Sequence, residues 1–255
     1  MRRVLCCTED PVIDTVAYEH VRFGDSGLLI SVEHASCTLP APLVLEDDDR
    51  PWLQTHWGWD LGAEEVSRRV LRELGGSGHF GRFSRLVCDA NRPATASSWI
   101  RRRVGGHLLS FNQQLDDAER ARRKTALWDR YHEGLDRAMA AMTDPFLLSV
   151  HSFTPVLHEE VREMEIGILF DDHADLAFEL FEIFADAGLL VALNAPYSGR
   201  DGLMYSPWRH GRAHGAPYLE LEIRQDLVAT HRKAQAFGHR LARLLQGFSP
   251  VASRL

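Results

Sequence analysis

Short apolar runs alternate along this chain with longer stretches of helical periodicity. LLISVE (28–33), SRLVCD (84–89), FLLSVH (146–151), EIGILF (165–170) and GLLVALN (188–194) read as strands, most of them buried on both faces. YLELEIR (218–224) alternates instead, which sets Glu220, Glu222 and Arg224 on one face of a strand. Between the strands lie four helical patterns. The first opens at Asp60 and places Ala63, Val66, Val70 and Leu74 about one turn apart. Asp60 suits its N-cap, Glu64 and Glu65 suit its first turn, and Gly75-Gly76 stops it. The others cover residues 116–142, 174–187 and about 226–246. Residues 1–25 read as an irregular, peripheral entry segment. The stretch from Pro40 to Pro51 and the sequence NAPYSGRDG (194–202) read as loops. Strands alternating with helices predict an α/β fold, with a mainly parallel mixed sheet between two helical layers, over one domain of residues 1–255.

Polar residues fall where this pattern makes them useful. The first strand runs into His34, the second into Asn91-Arg92, and the third into His151. In an open α/β sheet, ligands bind outside the carboxyl ends of the strands, so these residues converge on one crevice. Imidazole is the commonest metal ligand, and catalytic zinc sites favour two histidines with a carboxylate. The carboxylates on offer are Asp60, Glu33 and, further off, Asp171 and Asp172. In an extended strand Glu33 points away from His34, which counts against it. Cys37, three residues after His34, offers a thiolate. Arg92 beside Asn91 suits a substrate carboxylate, since a guanidinium grips one through two parallel bonds. Its competing role is a structural ion pair with Asp89. Glu222, flanked by apolar residues, suits a general base, with Glu220 its rival and a supporting Glu–Arg pair the bland alternative. Tyr197-Ser198-Gly199 and His210 fall in a region read as a loop beside the crevice.

Composition trims the choices. A net charge of -7 argues against a nucleic-acid partner. The one basic block is Arg101-Arg102-Arg103, a solvated run or a local aid near an anionic ligand. Cys6, Cys7, Cys37 and Cys88 form neither a CxxC pair nor a disulfide framework. No apolar stretch reaches membrane-spanning length, and the N-terminus lacks the apolar core of a secretory signal. The expectation is a cytoplasmic enzyme, with oligomeric state left open.

SVEHAS with Pro40, HWGWDLGA, SRLVCDANRP, HSFTP, NAPYSG and LEIRQDL occur in the order that resembles the N-formylglutamate amidohydrolase family, across roughly residues 28–230. That family is similar, more distantly, to zinc carboxypeptidases and aspartoacylase. The resemblance implies a phosphorylase/hydrolase-like α/β/α fold, a zinc cofactor and hydrolysis of N-formyl-L-glutamate. It implies that His34 and His151 bind zinc, that Asn91-Arg92 hold a substrate carboxylate with help from Arg85 or Arg224 and beside Tyr197, and that Glu222 is the base. The distant relatives carry a glutamate ligand where this chain has Cys37. The resemblance makes Asp60 the expected third ligand, because it opens the helix after the first strand as that glutamate does in the relatives, with His56 next. Two alternatives accompany this reading: cleavage of another N-acyl amino acid or small peptide, and a non-catalytic relative that keeps the fold.

Overall fold

The structure, a computed structural model, describes Ile13 and residues 16–252. Cys6, Cys7 and the N-terminal arginines lie outside the described residues. Seven strands form one sheet: β1 (Tyr18–Arg22), β2 (Leu28–Val32), β3 (Ser77–Gly81), β4 (Phe146–Phe153), β5 (Ile166–Leu169), β6 (Val191–Leu193) and β7 (Tyr218–Arg224). Their spatial order is β1-β3-β2-β4-β7-β5-β6. The central pairs β3–β2, β2–β4 and β4–β7 are parallel, while β1 on β3 and β5 on β7 are antiparallel. The sheet is therefore mixed but mainly parallel, as expected. Four parallel strands at its centre bring their carboxyl ends to one edge.

Helices cover both faces. On one side lie α1 (Ala63–Leu74), α4 (Ala174–Asp186) and α6 (His231–Leu245), packed on Leu28, Ile30, Val32, Phe146, Leu148, Val150, Leu219, Leu221 and Ile223. On the other lie α3 (Arg130–Ala140) and α5 (Tyr205–His214), with α2 (Asp117–Arg123) running into α3 through a π-helical stretch at Lys124–Asp129. Because side chains alternate along a strand, the two faces can differ in chemistry. The first face is apolar save for Ser152 near the end of β4. The second turns polar toward the carboxyl ends: Ser31, Ser149, His151, Glu220 and Glu222 are all buried there. The register aligns Ser31 with Ser149, Glu220 with Ser149, and Glu222 with His151.

Three readings need correction. Residues 84–89 are not a strand. They form a buried loop whose backbone groups bond to side chains: Leu86 N–H to Ser84 Oγ, and the Val87 carbonyl accepting from Arg123. The strand that follows β2 is instead β3, Ser77–Gly81, a Ser/Gly-rich segment with no apolar run of its own. Residues 205–214, around His210, are not a loop but form α5. Finally, α1 begins after Asp60, not at it: Gly62 is its N-cap, in the left-handed region at φ 80°, and no side chain caps the helix. That conformation suits only glycine, and a Cβ there would meet the Val228 carbonyl oxygen at 2.4 Å.

Candidate active site

β2 ends at Val32, and the chain turns at Glu33-His34 to aim the His34 ring across the carboxyl edge of the sheet. Asp60 sits on the loop that leads into α1, tied back by its own N–H to the His34 carbonyl (2.9 Å). His151 extends from β4. Freed from capping, the Asp60 carboxylate meets both rings: its Oδ2 lies 2.7 Å from His151 Nδ1 and 3.3 Å from His34 Nδ1. The two Nδ1 atoms are 3.1 Å apart. All three residues are buried.

The far sides of both rings fix their tautomers. His34 Nε2 faces Asp89 Oδ1 at 2.7 Å, and His151 Nε2 faces Glu33 Oε2 at 3.1 Å. An imidazole that donates from Nε2 to a carboxylate presents a bare lone pair at Nδ1. Three acceptors then crowd one point, an arrangement that repels itself unless positive charge lies between them. Ligands about 2.0–2.1 Å from a tetrahedral ion stand about 3.3 Å apart, so this donor set fits a zinc ion. The same crowding is visible in His151, held well above its ordinary pKa: burial opposes the charged ring, but Glu220, Asp60 and Glu33 outweigh it. Cys37, a free thiol, is not among the converging groups. Glu33 does point away from His34, as its strand position dictates, but toward the outer nitrogen of His151. Ser149 Oγ (2.7 Å) and Tyr131 OH (3.1 Å) donate to its carboxylate, which lies well below the ordinary range.

Around this centre lies a cavity of 270 Å³. His34, Asp60 and His151 line it together with Asn91, Arg92, Arg85, Tyr197, Glu222 and His56. Glu222 is buried, its Oε2 has no hydrogen-bond partner, and burial raises its pKa to about 8, with Asp60 and Glu220 adding to the effect. Glu220, one register row back, is committed: its carboxylate accepts from Asn91 Nδ2 at 3.1 Å. Asn91 Oδ1 in turn accepts the Ser206 N–H at 2.9 Å, binding the first turn of α5 to the cavity wall. Arg92 donates to the carbonyls of Asn91 and Leu203 (3.0 and 3.2 Å) and to no carboxylate. Arg85 pairs with Asp89 (2.8 Å) and reaches within 3.5 Å of Asp60 Oδ1.

Four other residues sit elsewhere. Arg224 turns away to Asp226 and the carbonyl of Glu163 (both in reach at 2.8 and 2.7 Å). His210 is buried in α5 between His132 and Asp136, at 2.8 and 2.7 Å. Asp171 accepts from Tyr218, and Asp172 pairs with Arg212. Conversely, sequence reasoning gave Asp89 no place behind His34 and Trp57 no place in the lining, and it gave Arg101 only the general alternative of an aid near an anionic ligand. The signal for Asp89 is its position two residues before Asn91, whose N–H it accepts at 2.9 Å.

Comparison with known proteins places the chain in a family. A family model for N-formylglutamate amidohydrolase matches residues 26–229. Gene product Atu2144 from Agrobacterium tumefaciens is 33% identical, with 93% of this chain and 95% of that one covered at a TM-score of 0.83. An N-formylglutamate amidohydrolase from Ralstonia eutropha JMP134 shares the fold at 18% identity, covering 90% of this chain and 98% of that one, with a TM-score of 0.67. A search of curated protein sequences found no match. The family model spans four-fifths of the chain, and the chain belongs to the N-formylglutamate amidohydrolase family.

Proposed function

We propose that the protein is a zinc-dependent amidohydrolase that cleaves N-formyl-L-glutamate, or a closely similar N-acyl amino acid, to the free acid and the amino acid. The observation that carries this reading is the convergence of His34 Nδ1, His151 Nδ1 and Asp60 Oδ2 beside the unpartnered buried oxygen of Glu222. His34, Asp60 and His151 hold the metal. Zinc, when bound, supplies Lewis acidity, bringing the ionisation of water toward neutral pH and polarising a carbonyl oxygen.

The remaining steps belong to the protein. Glu222 takes a proton from the attacking water and returns it to the nitrogen as the C–N bond breaks and the new C–O bond forms. Its desolvated surroundings keep its proton affinity near that of the groups it serves. Arg85, immobilised by Asp89, offers N–H groups to the negative charge that develops on the acyl oxygen. Arg92 and Asn91 bind a substrate carboxylate, and Tyr197 closes one wall. The cavity lies at the lower end of small-molecule sites, which run about 300–1,000 Å³. It suits a small N-acyl amino acid better than a long peptide.

The test is direct. Purified protein is assayed for metal content and for release of formate and glutamate from N-formyl-L-glutamate. About one zinc per chain and stoichiometric formate support the reading. Absence of bound zinc, with no activity after zinc is added, overturns it in favour of a non-catalytic relative.

A further inference from the structure

The Arg101-Arg102-Arg103 run has a part that the function above leaves unused. Arg102 donates to the carbonyls of Asn112 and Gln113, and Arg103 to that of Gly106 (3.0 Å), so both brace the loop. Arg101 differs. It lines the active-site cavity, and among the described residues its guanidinium has no hydrogen-bond or ion-pair partner. Its backbone is nevertheless fixed: buried Asn112 donates to the Arg101 carbonyl at 2.7 Å and to that of Leu86 at 2.9 Å. Buried Trp99 and Ile100 anchor the chain just before it, with the Trp99 carbonyl accepting the Asp89 N–H at 2.8 Å. Arg101 as a whole stays exposed to solvent, yet partial desolvation and the like charges of Arg85 and Arg92 lower its pKa against the pull of Asp89, so its cationic end lies in electrostatic reach of these groups.

Among the described residues, then, two guanidiniums of the cavity make no hydrogen bond or ion pair to a carboxylate, Arg92 and Arg101, whereas Arg85 has Asp89. Two unmatched cations in one small cavity match two carboxylates on one ligand. We propose that Arg101 is a specificity-determining residue that binds a second carboxylate, so that the cavity prefers N-acyl derivatives of dicarboxylic amino acids over their neutral counterparts. This rests on the amidohydrolase reading and deepens it: Arg92 takes one carboxylate and Arg101 the other.

N-formyl-L-glutamine is the neutral near-isostere of N-formyl-L-glutamate, so the two compounds isolate the charge. The experiment measures kcat/KM for both with zinc-loaded wild type, Arg101→Gln and Arg101→Lys. Losing a charge-assisted bond to a carboxylate lowers the glutamate-to-glutamine preference about tenfold or more, mostly through KM, and lysine restores part of it. A wild type without preference, or a preference that survives Arg101→Gln, overturns the proposal while leaving the amidohydrolase reading intact. Calorimetric binding of L-glutamate and L-glutamine to the same proteins judges Arg101 without turnover. If neither formyl compound is cleaved, the catalytic reading fails, yet tighter binding of glutamate that disappears in Arg101→Gln still upholds the second carboxylate site.

Discussion

Glu222 and Glu220 occupy the same strand face two residues apart, yet their surroundings divide their work. Glu220 is spent on Asn91, while Glu222 keeps an oxygen free toward the cavity. Glu222→Gln preserves shape and removes only the base, so kcat should fall by about 10²–10⁴-fold while zinc stays near one per chain. Near wild-type turnover in that variant would remove Glu222 from the role. Glu33 acts one step further back. Glu33→Gln offers His151 Nε2 an amide in place of a carboxylate and disturbs the tautomer that bares Nδ1, so zinc affinity should drop about 10–100-fold. Metal-buffered titration checks it, and an unaltered Kd would mean the ring is held by packing alone. Much of this site was legible in the sequence. His34, His151, Asp60, Asn91, Arg92, Arg85, Tyr197 and Glu222 all reach the cavity. Arg224 does not, because alternation fixes which face a residue takes but not how far along the strand the cavity extends. Asp89 was hidden because a side chain that supports a ligand carries no motif of its own.

Among the elements, the long periodic segments were the readable ones. α1, α4 and α6 and strands β2, β4, β5 and β7 follow from pattern because their apolar positions repeat against a core. β1 and β3 did not follow. YEHVR (18–22) pairs at the sheet edge and SGHFG (77–81) is held by tertiary neighbours, so neither shows a run of its own. The opposite error occurred at 84–89, where an apolar run is buried without strand pairing, its backbone satisfied instead by loop carbonyls such as those of Thr38, Gly58 and Trp99 and by the side chains of Ser84, Asn112 and Arg123. The start of α1 is the element on which the metal site turns. Gly62 lets the chain turn sharply two residues after Asp60, which frees that carboxylate from the helix. Gly62→Ala should cost about 1–3 kcal/mol of stability, from positive φ and the approach of Val228, and should weaken zinc binding by moving Asp60. Thermal melts and metal titration on one sample measure both, and a variant with wild-type values for each would show that the loop relaxes freely.

The molecule as a whole carries an internal response to acid. His79 is fully buried, with Nε2 bonded to the Tyr131 carbonyl (3.0 Å) and Nδ1 without a partner. Burial lowers its pKa to about 3, and burial together with His210 holds that of His132 well below the ordinary value of 6.5. A histidine kept neutral by folding stabilises the native state only while the unfolded chain is also neutral. That stability is complete above about pH 6.5 and is lost as pH falls toward the folded value. Between pH 7 and 5, His79 alone should withdraw about 2 kcal/mol. Urea unfolding at the two pH values measures the slope. Replacing His79 with Gln should flatten it by that amount, and an equal slope in the variant would exclude His79 as its source.

The sheet assigns its two kinds of work to different parts of the chain. His151 and Glu222 belong to central strands whose register is locked by neighbours on both sides, whereas Arg92 and Arg101 ride on the long connection between β3 and α2. Substitutions at residues 92–104 can therefore change which acid is admitted, whereas Arg85 and Asp89, earlier in the same connection, serve bond cleavage together with the strand ends. Descendants of this chain with new diets should differ from it first between residues 92 and 104, and last at the strand ends.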